Sequence, residues 1–383
     1  MRSSRRNTSL LSSNPAVGGV TATYPLRLER LRESLLKKGI DGFVVTNLIN
    51  VRYLSGFRGT AGSILVTKGK SIFITDFRYR EEVEREFGGP AHRRIAWEIV
   101  IEKGNRLKTI RGLARGLGIR TLGFEATLPY ESFRGLSRSG ARLRPLRELV
   151  EGLRAVKDDA ELALIRKAVS RAETAFLEVK PLIRPGRRER EIARMLEEKL
   201  KRGGCDCIPF DIIVASGENS AMPHAKVTDR KLTPGDLVVI DWGGEANGYC
   251  SDMTRTFLMG GGDPTKKREI YRAVLAANRK AVASVMPGVR EREVDGIARR
   301  TIGETGYGRY FGHGTGHGVG LEVHELPRIT WTGKDTIREG MVFTMEPGIY
   351  LPGLGGVRIE DMVLARRTKP EVLTRLPRAL EII

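Results

Sequence analysis

The segment LVVIDWGGEANGYCSDMTRTFL, residues 237–258, decides the fold. Its flanks, Leu237 to Trp242 and Tyr249 to Leu258, are β-branched and apolar, and Glu245-Ala246-Asn247-Gly248 between them has the composition of a turn, so the segment reads as a β-hairpin. If Glu245 pairs with Gly248, Asp241 falls directly opposite Asp252, with Cβ atoms ~5 Å apart. Two carboxylates so placed repel each other unless a cation lies between them.

The same arrangement recurs nearer the C-terminus. Met341 to Tyr350 and Gly356 to Ala365 flank the glycine-rich loop Leu351-Pro352-Gly353-Leu354-Gly355, and Glu346 and Glu360 are equidistant from Gly353. Two carboxylate pairs on two hairpins can bridge two divalent ions about 3.5 to 4 Å apart. Four of the five histidines, His224, His313, His317 and His324, lie in the same part of the chain. His313-Gly-Thr-Gly-His317-Gly-Val-Gly sets imidazoles among glycines, where backbone can approach a ligand closely. These glycines fit neither the dinucleotide nor the P-loop pattern. No Gly-x-Ser-x-Gly nucleophile elbow occurs, and Cys250 has no evident partner base, which disfavours covalent catalysis. Hydrolysis by metal-activated water remains.

Upstream, leucines recur at helical spacing from Leu26 to Leu36, and Gly42 to Thr46 reads as a buried strand. Ser63 to Thr67 and Ile72 to Thr75 flank a Lys68-Gly69-Lys70 turn, and Arg80 to Phe87 looks helical. This is an α/β domain over residues 25–150. A second domain, 151–383, opens with a helix that starts at Asp158-Asp159 and carries Leu162, Ile165, Val169, Ala172 and Phe176 on one face. Further helices follow around Ile192 to Leu200 and Ile270 to Val285, with strand-turn-strand segments between and after them, an α+β arrangement.

Composition excludes several classes. With 383 residues, 40% hydrophobic and 29% charged, two ordinary domains are expected. No stretch approaches the ~20 apolar residues of a membrane-spanning helix. Three cysteines, Cys205, Cys207 and Cys250, make neither a disulfide framework nor a usual zinc site, so a reducing cytoplasm is expected. Residues 1–24 read as a disordered tail in which Arg2, Arg5 and Arg6 lack the apolar segment an export signal needs. The net charge of +20 is uneven: residues 1–150 hold 28 basic and 13 acidic side chains, the rest 38 and 33. No aromatic-interleaved basic strip is visible in the sequence, so the charge reads as a solvated surface and nucleic-acid binding is not expected.

Taken together, Met222-Pro223-His224, Asp241-Trp-Gly-Gly, Ser251-Asp252-Met-Thr-Arg-Thr, the His313 to Glu325 run, Met345-Glu346-Pro-Gly-Ile-Tyr350 and Val357-Arg358-Ile359-Glu360-Asp361 resemble the creatinase, proline dipeptidase and aminopeptidase P group. Gly56-Phe-Arg-Gly-Thr-Ala-Gly62 with Thr75-Asp-Phe-Arg-Tyr79 is similar to that group's N-terminal domain. The resemblance spans about residues 25–383. It implies a creatinase-type α/β domain followed by a pita-bread metallopeptidase domain. It also implies that Asp241 chelates one metal, His317 and Glu346 hold the other, and Asp252 and Glu360 bridge both. Glu346 would take a proton from the bridging water, His224 and His324 would bind substrate and stabilise the tetrahedral intermediate, and His313 and Arg358 would shape the pocket. Oxygen ligands with one imidazole suit Mn2+, with Co2+ or Zn2+ as alternatives. The implied substrates are peptides with proline second, cleaved before the proline, and a homodimer is implied. An aminopeptidase P acting on longer peptides is the first expectation, and a proline dipeptidase (prolidase) the alternative. A nucleic-acid or ribosome-associated binding protein on the same fold is a more distant reading. Methionine aminopeptidase normally lacks the extra α/β domain.

Overall fold

The computed structural model describes residues 23–92 and 94–383. The expectations for residues 1–22 of the basic tail, Arg2, Arg5 and Arg6 among them, lie outside the described residues, whereas Thr23 and Tyr24, expected in that disordered tail, begin helix Thr23–Lys37. The first part is built on a six-stranded mixed sheet in the order Trp97–Glu102, Ser71–Asp76, Gly62–Thr67, Gly42–Val45, Thr121–Glu125, Arg142–Leu146. Its centre is the antiparallel hairpin around Lys68-Gly69-Lys70, with Leu65 opposite Ile72. The outer strands join in parallel.

The inner strands are apolar on both faces because both faces are covered. Phe43, Val45, Ile64, Val66 and Phe73 pack with Leu28, Leu31 and Leu35 of helix Thr23–Lys37. Val44, Leu65, Ile72 and Ile74 point the other way, onto Ile110 and Ala114 of helix Arg106–Gly116. The strand period of two sends alternate residues into two separate cores.

His92 lies in the first of these cores, its ring stacked 5.1 Å from Tyr24 and its Nδ1 accepting from Trp97 Nε1 at 3.0 Å. Burial pushes its pKa from 6.5 down to about 4. A histidine depressed in this way contributes stability that is fully present above its unfolded value and is lost as pH falls through the folded one. His92→Gln is therefore expected to lose less melting temperature than the wild type between pH ~6.5 and ~4, as read by thermal unfolding of both proteins across that range. Parallel curves would contradict this.

The second part begins with helix Asp159–Val179, closed at its start by a reciprocal capping box: Asp158 accepts from the Glu161 amide at 2.9 Å, and Glu161 from the Asp158 amide at 3.0 Å. Helices Glu189–Arg202, Thr265–Ala283 and Glu291–Gly303 follow. They flank two larger antiparallel sheets, beside which lie two short two-stranded ones, Glu245–Ala246 with Tyr249–Cys250 and Gly348–Leu351 with Gly355–Arg358. One of the larger sheets contains Met253–Leu258, Leu237–Trp242 and Ile213–Ser216, and the other runs Glu325–Ile329, Gly316–Gly318, Val342–Met345, Asp361–Leu364, Glu371–Val372. This is the α/β part followed by an α+β part that the residue pattern led one to expect. Among the described residues no helix is long and apolar enough to cross a membrane. Cys205, Cys207 and Cys250 are free thiols, the first and last buried.

Candidate active site

The first hairpin differs from the sequence reading by one detail of its turn. Ala246 pairs with Tyr249, leaving a two-residue turn in which Asn247 (φ 52°) and Gly248 (φ 82°) are both left-handed, the geometry that matches strand twist. The register is therefore shifted by two, and Asp241 lies opposite Thr254 instead of Asp252. A shift of two preserves the face, since strand side chains alternate with period two. Asp252 thus sits just outside the ladder, diagonal to Asp241 and on the same side of the hairpin.

The second hairpin has the expected register. Met345 pairs with Asp361 and Gly348 with Arg358, so Glu346 and Glu360 face each other across the break between the two ladders. Threonines join the hairpins. Thr254 Oγ1 donates to Glu360 Oε2 at 2.6 Å, the Glu360 amide to the Thr254 carbonyl at 3.1 Å, and Thr256 Oγ1 to the Arg358 carbonyl at 2.8 Å.

His317 is carried to the carboxylates by strand Gly316–Gly318. Its amide donates to Thr344 Oγ1, and a Cβ on Gly316 would lie 1.9 Å from the Thr344 carbonyl oxygen, so this approach requires glycine. His317 Nδ1 faces the Gly318 carbonyl at 3.2 Å, which directs Nε2 inward, 3.2 Å from Glu346 Oε1 and 3.6 Å from Asp252 Oδ2. One donor atom each from Asp252, His317 and Glu360 lie within 4.8 Å of one another. Asp241 and Glu346 complete the group.

Its electrostatics call for cations. Burial, then the charges of Glu360, Asp241 and Glu346, push the Asp252 carboxyl well above the usual range, and burial with Glu346 and Asp241 does the same to Glu360. For Glu346 burial acts upward, but hydrogen bonding and charge from His317 outweigh it and hold the group low. Asp241 is raised by burial and relieved in part by Arg358, whose Nη2 donates to Asp241 Oδ2 at 2.6 Å. Asp241 Oδ1 and Asp252 Oδ1 are buried with no hydrogen-bond partner among the described residues. Orphaned carboxylate oxygens around one imidazole are a donor set suited to divalent metal.

The remaining sequence-predicted residues occupy the walls of a cavity of about 1,210 Å3, which also contains the carboxylate group. His224 and His324 are exposed to it, the His324 ring 4.1 Å from that of His317. His313 is half-buried, its Nδ1 facing the Gly314 carbonyl at 2.8 Å and its Nε2 the Tyr350 hydroxyl at 2.9 Å. Arg358 is placed differently from a substrate-facing group: it is buried, donating to Thr254, Pro223 and Tyr350 as well as to Asp241. Tyr350, where His313 and Arg358 meet, was present in the motif but given no role from sequence. Its residue type alone does not distinguish a hydroxyl that joins two site residues from a packed aromatic.

Glu325, beside His324, was also missed. Its side chain is 2% exposed and paired with Lys157 Nζ at 2.6 Å and Arg154 Nη2 at 2.5 Å. Arg154 Nη1 reaches Asn50 Oδ1 at 2.9 Å, and Asn50 donates to Glu125, tying the first sheet to the His324 loop. Burial raises the Glu325 pKa, but Lys157 and Arg154 over-compensate and hold it below the ordinary value. Removing one cation leaves a buried charge short of a partner, so Lys157→Met is expected to lower unfolding stability by roughly 3 kcal/mol, as measured by urea titration. A loss below ~1 kcal/mol would contradict this.

Two family models match the chain: metallopeptidase family M24 over residues 163–367, and the creatinase/prolidase N-terminal domain over residues 27–156. The Xaa-Pro dipeptidase of Pyrococcus horikoshii is 37% identical over 358 residues, 92% of this chain and 98% of that protein. The solved Xaa-Pro dipeptidase from Bacillus anthracis has a TM-score of 0.89 at 40% identity, covering 94% of this chain and 100% of that one. An X-Pro aminopeptidase structure from Thermotoga maritima has a TM-score of 0.82 at 36% identity, covering 93% and 100%.

Proposed function

Since the chain belongs to metallopeptidase family M24, with a pita-bread catalytic part after a creatinase/prolidase N-terminal domain, we propose that it is an Xaa-Pro dipeptidase, hydrolysing the bond between a first residue and proline. The observation that carries the reading is the convergence of Asp241, Asp252, His317, Glu346 and Glu360 on one cavity, with the two orphaned buried oxygens of Asp241 and Asp252. The sequence reading put an aminopeptidase P first. The likeness to proteins named Xaa-Pro dipeptidases, at 37% and 40% identity over more than nine-tenths of the chain, favours the alternative.

In this reading Asp241, with one oxygen committed to Arg358, would hold one metal together with Asp252 and Glu360, and His317 and Glu346 would hold the second. Manganese is the proposed metal because oxygen donors predominate. Bound there, divalent ions supply Lewis acidity, lowering the pKa of a water and polarising the scissile carbonyl. Glu346 takes the proton from the attacking water, with Thr344 Oγ1 donating to its Oε1 at 3.1 Å to fix the carboxylate. His224 and His324, open to the cavity, hold the substrate and donate to the oxyanion. His313 is half-buried, and burial lowers its pKa below the ordinary value.

A dipeptide presents its free carboxylate one residue beyond the scissile bond, and Arg194 and Lys226 on the cavity wall, with no acidic partner among the described residues, can neutralise it, whereas Arg190 and Arg328 are already paired with Asp229 and Glu148. Arg328 is the cross-strand partner of His317. The X-Pro aminopeptidase likeness keeps the second reading open: an aminopeptidase would accept chains extended beyond proline. An X-Pro dipeptide and the X-Pro-Y tripeptide with the same first two residues distinguish the two. The dipeptide is expected to be cleaved with a kcat/KM at least ~100-fold higher, the cost of losing one charge-assisted carboxylate contact. Equal or faster tripeptide cleavage would overturn the dipeptidase reading and leave the aminopeptidase one.

A further inference from the structure

The positive surplus of the first part converges on one surface away from the cavity. Residues 103–147 hold eleven lysines and arginines and only two acids, Glu125 and Glu131. Glu125 is buried and committed to Thr46, Asn47 and Asn50. Helices Arg106–Gly116 and Tyr130–Ser137 pack side by side at close range: a Cβ on Gly135 would lie 2.6 Å from Leu107 Cδ1. Arg111 reaches across to the Gly135 carbonyl at 3.3 Å and Arg115 to that of Ser139 at 3.0 Å, so cations of the first helix lie over the second.

Spacing organises these charges into two stripes. Lys108, Arg111 and Arg115 follow at i, i+3 and i+7 on one helix, while Tyr130, Arg134 and Arg138 follow in steps of four from the other. Arg142 joins them at the sheet edge, its amide donating to the Arg120 carbonyl at 2.7 Å. Lys108, Arg134, Arg138 and Arg142 are exposed, and their side chains make no hydrogen bond or ion pair among the described residues. Like charges at i, i+4 destabilise a helix, and the one exposed acid beside them, Glu131, three residues before Arg134, makes no ion pair with them among the described residues. Tyr130 is 70% exposed at the start of the second stripe, one turn before Arg134, its ring 6.4 Å from that of Phe133.

We propose that this paired-helix face binds single-stranded nucleic acid without sequence preference, the guanidinium stripes taking phosphates and Tyr130 stacking on a base. Unneutralised cations beside an exposed aromatic are the two elements such a strand requires. An anionic membrane would want a row of apolar side chains beside the charge. In residues 103–147 Tyr130 is the one exposed large hydrophobic side chain among the described residues, which favours a strand over a bilayer. The linear sequence hid this face because Tyr130 joins Lys108 and Arg115 only when the two helices pack together.

The test is fluorescence anisotropy of a labelled oligothymidylate of roughly 20 nucleotides titrated with full-length protein at several salt concentrations. Neutralising about four phosphates predicts a slope of log affinity against log salt near −3. The triple variant Lys108→Glu/Arg134→Glu/Arg142→Glu is expected to bind at least ~10-fold more weakly with a shallower slope. Tyr130→Ala is expected to bind ~10-fold more weakly with the slope unchanged. None of these residues lines the cavity, so peptidase activity is the control for folding and should be retained. Absence of binding at roughly 50 mM salt overturns the proposal. Binding that both variants retain overturns it too, as does capture by phosphatidylglycerol vesicles without binding of the oligonucleotide.

Discussion

Asp252→Asn is expected to raise the melting temperature of the metal-free protein while lowering hydrolysis by about a thousandfold or more, because in the proposed mechanism the same charge drives catalysis and strains the fold. Four carboxylates are packed around one guanidinium, Arg358, and the His317 imidazole, whose pKa burial lowers but bonding to and charge from Glu346 raise on balance, and Asp252 is buried among Glu360, Asp241 and Glu346. A carboxyl held well above its unfolded value near 3.8 contributes stability below that value and loses it as pH rises. The variant keeps the shape and removes the charge. Its advantage should therefore widen from pH ~4 toward neutrality, reaching on the order of 1 kcal/mol, a shift of a few degrees. Added manganese should reverse the order, stabilising the wild type by about 4 kcal/mol at a thousand times the dissociation constant and the variant far less. Thermal unfolding with and without metal reads both effects. A variant that melts below the wild type without metal would contradict the electrostatic account.

Arg358→Met works in the opposite direction. Its guanidinium is buried, joined to Asp241 Oδ2 at 2.6 Å and donating to Thr254 Oγ1 at 3.0 Å, the Tyr350 hydroxyl at 3.0 Å and the Pro223 carbonyl at 3.1 Å. The neighbouring charges of Asp241, Glu360 and Glu346 hold it firmly protonated despite burial. Removing it leaves Asp241 unpaired in a group already too negative, so unfolding stability should fall by about 3 to 5 kcal/mol. Arg358→Lys should recover only part of the loss, since one ammonium cannot reproduce a planar fork directed at four acceptors. Urea titration of the three proteins checks the order. Equal stabilities would place Arg358 outside the charge balance of the site.

The parts of the site legible in the sequence were those fixed by strand period. Glu346 and Glu360 are equidistant from Gly353, and the ladders on either side keep that register. Asp241 and Asp252 were read two residues out of register because the turn is the two-residue Asn247-Gly248, yet their common face survived the error. Illegible were the contacts made at long separation. Lys157 and Glu325 lie 168 residues apart and Thr254 and Glu360 106, and nothing in either neighbourhood announces the other. Helices Leu48–Ser55, Arg106–Gly116 and Tyr130–Ser137 also went unread: each is short, leaving few apolar positions from which a period can be read.

If Asp241, Asp252, His317, Glu346 and Glu360 bind divalent metal and that metal drives X-Pro hydrolysis, cleavage must follow the metal. An X-Pro dipeptide offered to chelator-stripped wild type and Asp252→Ala, each with and without added manganese, reads this. The account predicts activity in the wild type alone, and only after metal is restored. Undiminished cleavage by the stripped protein or by Asp252→Ala, or none by folded, metal-loaded wild type, would contradict it.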